Sequence, residues 1–256
     1  MSPTIGELLD WAPALALVVA RIGPAMALLP GLGESAAPVM VRAGLALALS
    51  VLLVPLLAPA MPPMPDTGLR WALAIAGEVV TGLWFGWLAR VIALALPVGI
   101  QLVSIFLGLT SVLQPDEELG PQSTAFARLF DLAVPVIILS SGMYTLVLQA
   151  LAGLFTLIPP GHLLPAGDGV ETVVATAATA FKLALQVASP FVVAAVAWQI
   201  AMGQVARVMS RVQIFFVMMP GQILAGLVLL GLAGGGMIAV WQQAAEHALG
   251  SLPGSG

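Results

Sequence analysis

A run of three adjacent carboxylates at residues 116–118 is the strongest concentration of ionisable groups in this sequence. Pro115 precedes the run and Gly120 and Pro121 follow it, so a regular helix is not expected to continue through it. At membrane depth, non-helical backbone is tolerated only inside protein or beside water. If the flanking apolar sequence is membrane-embedded, this loop must therefore lie outside the bilayer or line a water-filled space within protein.

Three single charges, Arg21, Glu78 and Lys182, each interrupt a long apolar stretch. An ionised side chain is costly in hydrocarbon, so we expect these residues to be buried structural or assembly charges that face other protein. Glu78 must pair or become protonated. The next basic residue on its predicted helix is Arg90, about 18 Å further along the helix axis. We therefore expect Glu78 to pair with a basic group on a different helix.

Arg207 and Arg211 are four residues apart, which places them on the same face of a helix. Like charges at this spacing repel each other unless an anion lies between them. A lipid phosphate or the carboxylates of another chain would supply that anion. We count both arginines among the predicted assembly charges and expect an acidic partner.

The sequence has few side chains that could catalyse a reaction or bind a metal. The sequence has no cysteine and two histidines, and no group of His, Asp and Glu shows metal-ligand spacing. One tyrosine and no obvious intramembrane counter-ion besides Glu78 argue against a retinal Schiff base on Lys182. His162 follows the Pro159-Pro160-Gly161 turn and is interpreted as a loop residue. We predict neither enzyme activity, cofactor nor metal.

The elements that position these residues follow from the composition. The chain is 60% hydrophobic and 8% charged, whereas soluble domains average about 45–50% apolar and about 25% charged residues. A net charge of −4 with only eight Lys and Arg leaves no basic surface for nucleic acid. We predict an all-α polytopic membrane protein, and read residues 1–256 as a single domain because no linker-like block divides them.

The hydropathy pattern predicts about six or seven hydrophobic segments, arranged as long, kinked helical hairpins. Residues 69–113 exceed twice the length of one crossing and are interpreted as two spans or one long bent hairpin. Pro135 is expected to kink the helix over residues 126–158, and Pro190 to bend the one over 170–200. The first span, preceded by acidic Glu7 and Asp10, is expected to be a retained anchor. The remaining segments are 11–29, 38–57 and 214–245, and residues 250–256 are expected to be flexible.

In order and spacing, the sequence resembles the FliR family of the bacterial flagellar export gate and its injectisome counterparts. The resemblance extends over almost the whole chain and is carried by colinear motifs. These are Arg21 with Pro30, Gly77-Glu78-x-x-x-Gly82, the loop over residues 101–121, Ile158-Pro159-Pro160-Gly161, Pro190, Gln199, Gly203, Arg207, and Ile214-Phe215 with Pro220.

The resemblance implies a non-enzymatic subunit of the flagellar basal body in the bacterial inner membrane, involved in flagellum biogenesis and type III protein secretion. Its implied partners are FliP-type and FliQ-type subunits, an FlhB-type subunit, membrane lipid and unfolded export substrates in transit, but no nucleic acid. Together with FliP and FliQ it would form the portal through which substrates enter. It also implies that the central loop plugs this channel, through Gln114, Pro115, Asp116, Glu117, Glu118, Gly120 and Pro121.

Three alternatives remain open at this stage. The first is the injectisome counterpart of the same subunit. The second is a small-solute secondary transporter, motivated by the intramembrane charges Arg21, Glu78 and Lys182 and by Pro-broken spans, although no inverted repeat is found. The third is a membrane enzyme, for which the catalytic side chains are sparse.

Overall fold

The computed structural model describes residues 11–32, 38–58, 61, 67–108, 125–208 and 214–255. Within these ranges the regular secondary structure is helical, with no β-strand. The helices are α1 (Ala12–Leu28), α2 (Val39–Leu57), α3 (Gly68–Ala93), α4 (Ala95–Phe106), α5 (Ala125–Ser141), α6 (Met143–Leu157), α7 (Ala166–Val208) and α8 (Ile214–Leu249). The central acidic loop, including residues 114–121, lies outside the described residues.

Several of these helices are long and apolar enough to cross a membrane. Four stretches within the described ranges meet that requirement, and a fifth does so if α5 and α6 form one broken span. The four are Val39–Leu57, Gly68–Phe106, Ala166–Val205 and Pro220–Leu249. Helix α1 is a shorter apolar helix. The predicted all-α polytopic membrane fold is thereby confirmed.

The described chain forms two compact units, each built from separate segments. Unit 1 combines Met1–Ala93, Pro135–Ala178 and Glu246–Gly256, and unit 2 combines Leu94–Val134 and Thr179–Ala245. Neither unit is a contiguous stretch, so no simple linker separates them. The interpretation of residues 1–256 as one domain stays a prediction.

The long apolar stretch after residue 68, expected to be two spans or one long bent hairpin, is helical from Gly68 to Phe106 with a break at Leu94. Helices α3 and α4 are separated by Leu94 alone, which is too short a connection for a hairpin turn. The amide of Val98 still donates to the carbonyl oxygen of Leu94, so the helical hydrogen-bond pattern resumes at once. Length alone misled the prediction, because a 39-residue helical stretch is also compatible with this apolar sequence.

The break expected at Pro135 lies instead at Gly142. Pro135 is inside α5, whereas Gly142 has φ of +81° and separates two helical pieces that are bent by 79°. A proline removes one backbone hydrogen bond, which a membrane helix tolerates. A left-handed residue turns the backbone itself out of the helical path. The glycine therefore decides where this segment breaks.

Residues 250–255, expected to be flexible, are packed against unit 1. Leu252 is only 3% exposed, and Gly254 adopts φ of +91° beside the backbone of α6. The prediction of a flexible segment was wrong because it weighed the Gly, Ser and Pro content and overlooked the single apolar anchor, Leu252.

Helix α2 is attached to its unit by one narrow stripe. Its buried residues are Ala46, Ser50 and Val54, which recur at every fourth position. The Ser50 hydroxyl donates to the carbonyl oxygen of Ala46 at 2.7 Å, so this buried hydroxyl has a hydrogen-bond partner. The opposite face carries large exposed apolar side chains, among them Met40 and Leu52.

Candidate functional site

Helices α1 and α3 are in direct backbone contact, which brings their charged residues together. A Cβ at position 82 would overlap the carbonyl oxygen of Arg21, and a Cβ at position 86 would lie 2.8 Å from that of Ala25. Gly82 and Gly86 are one helical turn apart, as are Arg21 and Ala25. Small residues at this four-residue spacing let two helix backbones approach closely, and here they set the register of α1 against α3.

Within this contact, Arg21 and Glu78 form a buried ion pair. The guanidinium Nε of Arg21 donates to Oε2 of Glu78 at 2.5 Å, and both side chains are fully buried. Glu78 lies one turn before Gly82, so it is on the face of α3 that approaches α1. The sequence argument that Glu78 needs a basic group on another helix is met here by Arg21.

The remaining donors of Arg21 extend the cluster to the end of α6. Nη1 donates to the carbonyl oxygens of Ile158 at 2.8 Å and Leu154 at 3.3 Å. Carbonyls near a helix C-terminus carry partial negative charge, so a cation is favoured there, and the Leu154 carbonyl also accepts from the amide of Ile158. The guanidinium carbon also lies 4.3 Å from the centre of the Phe155 ring, within cation–π range.

Glu78 binds the turn that follows α6. Its Oε1 accepts a hydrogen bond from the backbone N–H of Gly161 at 2.7 Å. Gly161 closes the Pro159-Pro160-Gly161 turn with φ of +79°, a conformation that glycine adopts without steric cost. The carboxylate thereby fixes both a guanidinium and a backbone turn.

This arrangement is suited to holding elements together rather than to reaction. One ion pair links α1, α3, the end of α6 and the turn after it, and both charged groups are shielded from water. Nη2 of Arg21 makes no hydrogen bond within the described part of the chain. We call Arg21, Glu78, Phe155 and Gly161, with the carbonyls of Leu154 and Ile158, the buried charge cluster.

Four members of this cluster were not singled out from the sequence as partners of a charge: Phe155, Gly161 and the carbonyls of Leu154 and Ile158. Phe155 resembles any apolar core residue, and backbone carbonyls carry no residue-specific signal. The usable hint was Gly161, because a glycine after two prolines often marks a turn whose amide needs an outside acceptor. His162 is exposed, and its Nδ1 lies 3.4 Å from the Pro160 carbonyl oxygen, in keeping with a loop residue.

The other predicted charges are not part of this cluster. Lys182 and Arg207 are exposed in this chain taken alone. Lys182 points away from the buried stripe of α7 formed by Ala180, Leu183 and Ala184. Burial of either residue by another subunit stays a prediction, and Arg211, like the loop at residues 114–121, lies outside the described residues.

Unit 1 also has a groove of about 480 Å³ between α3 and the segment that begins α7. Its walls are almost entirely apolar. The indole Nε1 of Trp84 bridges the two sides by donating to the Gly169 carbonyl oxygen at 3.1 Å. Across the described residues, no three His, Cys, Asp or Glu lie close enough to hold a metal ion.

Comparison with known proteins finds a family and a relative that each match most of the chain. The family described as Bacterial export proteins, family 1, matches residues 12–248. The Flagellar biosynthetic protein FliR of Caulobacter vibrioides is 30% identical over 226 residues, which cover 88% of this chain and 90% of that protein. Arg21, Glu78 and Gly161 all lie within the matched residues. The chain therefore belongs to the bacterial export proteins, family 1.

Proposed function

We propose that this chain is a subunit of the flagellar protein export apparatus. The observation that carries the proposal is its 30% identity to the flagellar biosynthetic protein FliR across 88% of this chain and 90% of the relative. A match this complete covers the helices that build the buried charge cluster as well as the candidate membrane spans. It supports a shared role for the whole chain rather than for one motif.

More specifically, the chain assembles with FliP-type and FliQ-type subunits in the bacterial inner membrane, next to an FlhB-type subunit. Together they form the portal through which unfolded substrates enter the type III export channel. Two features support a multi-subunit setting. Within the apolar stretch of α2 only 17% is buried by the rest of the chain, and within that of α8 only 11%. Gly235 and Gly236 on α8 are exposed, so a neighbouring helix backbone could approach them closely.

In this setting the loop with Asp116, Glu117 and Glu118 serves as a channel plug. Its carboxylates need water or a protein-lined cavity, and a substrate channel provides both. Pro115, Gly120 and Pro121 disfavour regular structure, which suits a segment that must move aside when a substrate passes. Closed and open states that differ by a few kcal/mol would shift in population when the loop is shortened.

The role of the whole chain is tested by deleting its gene. We expect loss of flagellar filaments and of secreted flagellar proteins, with restoration by the intact gene. Restoration by the Caulobacter relative would add support. Intact motility, combined with loss of effector secretion, would assign the chain to an injectisome instead. Intact secretion in both systems, combined with loss of uptake of a small solute, would favour a transporter.

The plug role is tested by removing residues 116–120 from the chain while its partners are present. We expect the complex to assemble and the membrane to leak small ions and solutes. The matched control replaces the same five residues with a Gly-Ser spacer of equal length, which keeps the loop's length but not its charge. Unchanged permeability of the deletion variant in an intact complex would reduce the loop to a connector.

A further inference from the structure

Residues 250–255, here called the docked segment, follow α8 and form a series of tight turns. The amide of Ser251 donates to the carbonyl oxygen of Ala248, and the amide of Ser255 donates to that of Leu252, at 3.3 and 3.1 Å. Between them, Leu252 is buried while Ser251 and Ser255 are exposed. A segment with one buried apolar residue between exposed serines is attached at a defined point.

The attachment is a mutual contact between two glycines. A Cβ on Gly153 of α6 would overlap the carbonyl oxygen of Gly254, and a Cβ on Gly254 would overlap the carbonyl oxygen of Ala150. The same Cβ would lie 2.5 Å from the amide nitrogen of Leu154. Gly254 also has φ of +91°, which L side chains rarely adopt. Gly153 is therefore required by the backbone of Gly254, and Gly254 by the backbone of α6 at Ala150 and Leu154.

The docked segment contacts a part of α6 that also belongs to the buried charge cluster. The amide of Leu154 lies beside Gly254, and the carbonyl of the same residue accepts a hydrogen bond from Arg21. Residues 250–255 lie beyond residue 248, where the family match ends, whereas their contact residues on α6 lie within it.

We propose that the docked segment is a clasp that fastens the end of α8 to α6 and can be released locally without unfolding the rest of the chain. A backbone contact through one glycine pair, with a single buried side chain, is weaker than the packing of a whole helix. Residues 246–256 belong to unit 1, as does α6.

The sequence has no cysteine, so single thiols can report on docking without background. We would introduce Ser251→Cys, Leu252→Cys or Ser255→Cys into the full chain and measure the rate of maleimide labelling in native membranes. Each variant would be combined with Gly153→Ala, which introduces the clash. The matched control is Gly203→Ala, a helical position where a Cβ meets nothing within 4 Å. An Ala188→Cys reporter, fully buried in unit 2, detects global unfolding.

We expect the thiol at position 252 to label at least about tenfold more slowly than those at 251 and 255. Gly153→Ala should bring the three rates together while the thiol at position 188 stays protected, and Gly203→Ala should change nothing. Equal rates at the three positions before the clash is introduced would overturn the proposal. The proposal would also be overturned if Gly153→Ala left the labelling rate at position 252 unchanged. The same holds if the docked segment were released only when the thiol at position 188 also became exposed.

Discussion

Arg21 and Glu78 matter for stability because both are buried in the protein, away from water. Two opposite charges excluded from water must compensate each other, and both also use backbone groups of α6 and the following turn. Replacing a buried pair by apolar residues is often harmless, whereas removing one partner leaves an uncompensated charge. Each charge is therefore tolerated in the protein interior only while the other is present.

Glu78→Ala should destabilise the chain by about 3–5 kcal/mol, because Arg21 would remain buried without its counter-charge. Glu78→Gln should cost less, since an amide oxygen can still accept from Gly161, and both variants should lower assembly and secretion. The measurement is chemical unfolding in mixed detergent micelles, together with the membrane abundance of each variant.

The matched control for this prediction is the double variant Arg21→Met/Glu78→Leu, which removes both charges and keeps the side-chain bulk. It should be more stable than Glu78→Ala alone. A double variant as unstable as the sum of the two single variants would contradict the coupling between the two residues.

For single residues, the sequence predicted that Glu78 needs a basic partner but did not identify that partner as Arg21. An isolated carboxylate at Glu78 and an isolated guanidinium at Arg21 both require protein around them. Which of the few basic groups faces Glu78 depends on the register of α1 against α3, and close packing at Gly82 sets that register. The stripe of Glu78, Gly82 and Gly86 identified the packed face of α3, whereas nothing local to Arg21 identified it as the opposing residue.

At the scale of elements, the break between α5 and α6 depends on backbone conformation alone. A Cβ at Gly142 would meet nothing within 4 Å, so a substitution there would be strained by its φ of +81° and not by a clash. We expect Gly142→Ala to cost about 1–2 kcal/mol, Gly142→Asn less and Gly142→Val more.

The stability of these three variants would be measured by unfolding in mixed micelles, with Gly203→Ala as a control in regular helix. The control should be neutral or stabilised by up to about 1 kcal/mol, because alanine favours helix over glycine. If Gly142→Val were as stable as the unsubstituted chain, the left-handed conformation would not be needed for the break.

Hydrophobic pattern predicted the helices better than their interruptions. Apolar length defined the spans because hydrocarbon thickness sets a minimum length. It could not distinguish the one-residue break at Leu94 from a hairpin, since both lie within apolar sequence. The bend was predicted at Pro135 because proline content was the only local signal. Residues 250–255 were predicted to be flexible because of their small residues, so the anchoring of Leu252 was not foreseen. Both errors arose where tertiary contact or a single φ angle outweighs local preference.

On the scale of the whole molecule, a large apolar surface is left uncovered by the chain itself. Met40, Leu52 and Leu56 on α2 are 88%, 73% and 75% exposed. Lipid can cover such residues, but exposed glycines on α8 favour contact with another helix. The chain is therefore expected to need partner subunits for its stability.

We expect this chain, expressed alone and extracted in detergent, to aggregate or be degraded. Co-expression with FliP-type and FliQ-type subunits should yield a soluble complex that contains all three, as measured by size-exclusion chromatography and native mass spectrometry. The control is co-expression with an unrelated polytopic membrane protein, which should give no rescue. A monodisperse, heat-stable monomer without partners would count strongly against this expectation.

The long separation of Arg21 from its partners also bears on the timing of biosynthesis. Glu78 follows Arg21 by 57 residues and Ile158 follows it by 137. At about 5–20 residues per second, roughly 3 to 11 s pass before the carboxylate is made, and roughly 7 to 27 s before the carbonyl is made. Throughout that interval the nascent α1 carries an unmatched cation. Helix α1, the earliest-made of the described helices, thus cannot complete its buried contacts until the chain has been synthesised past the end of α6.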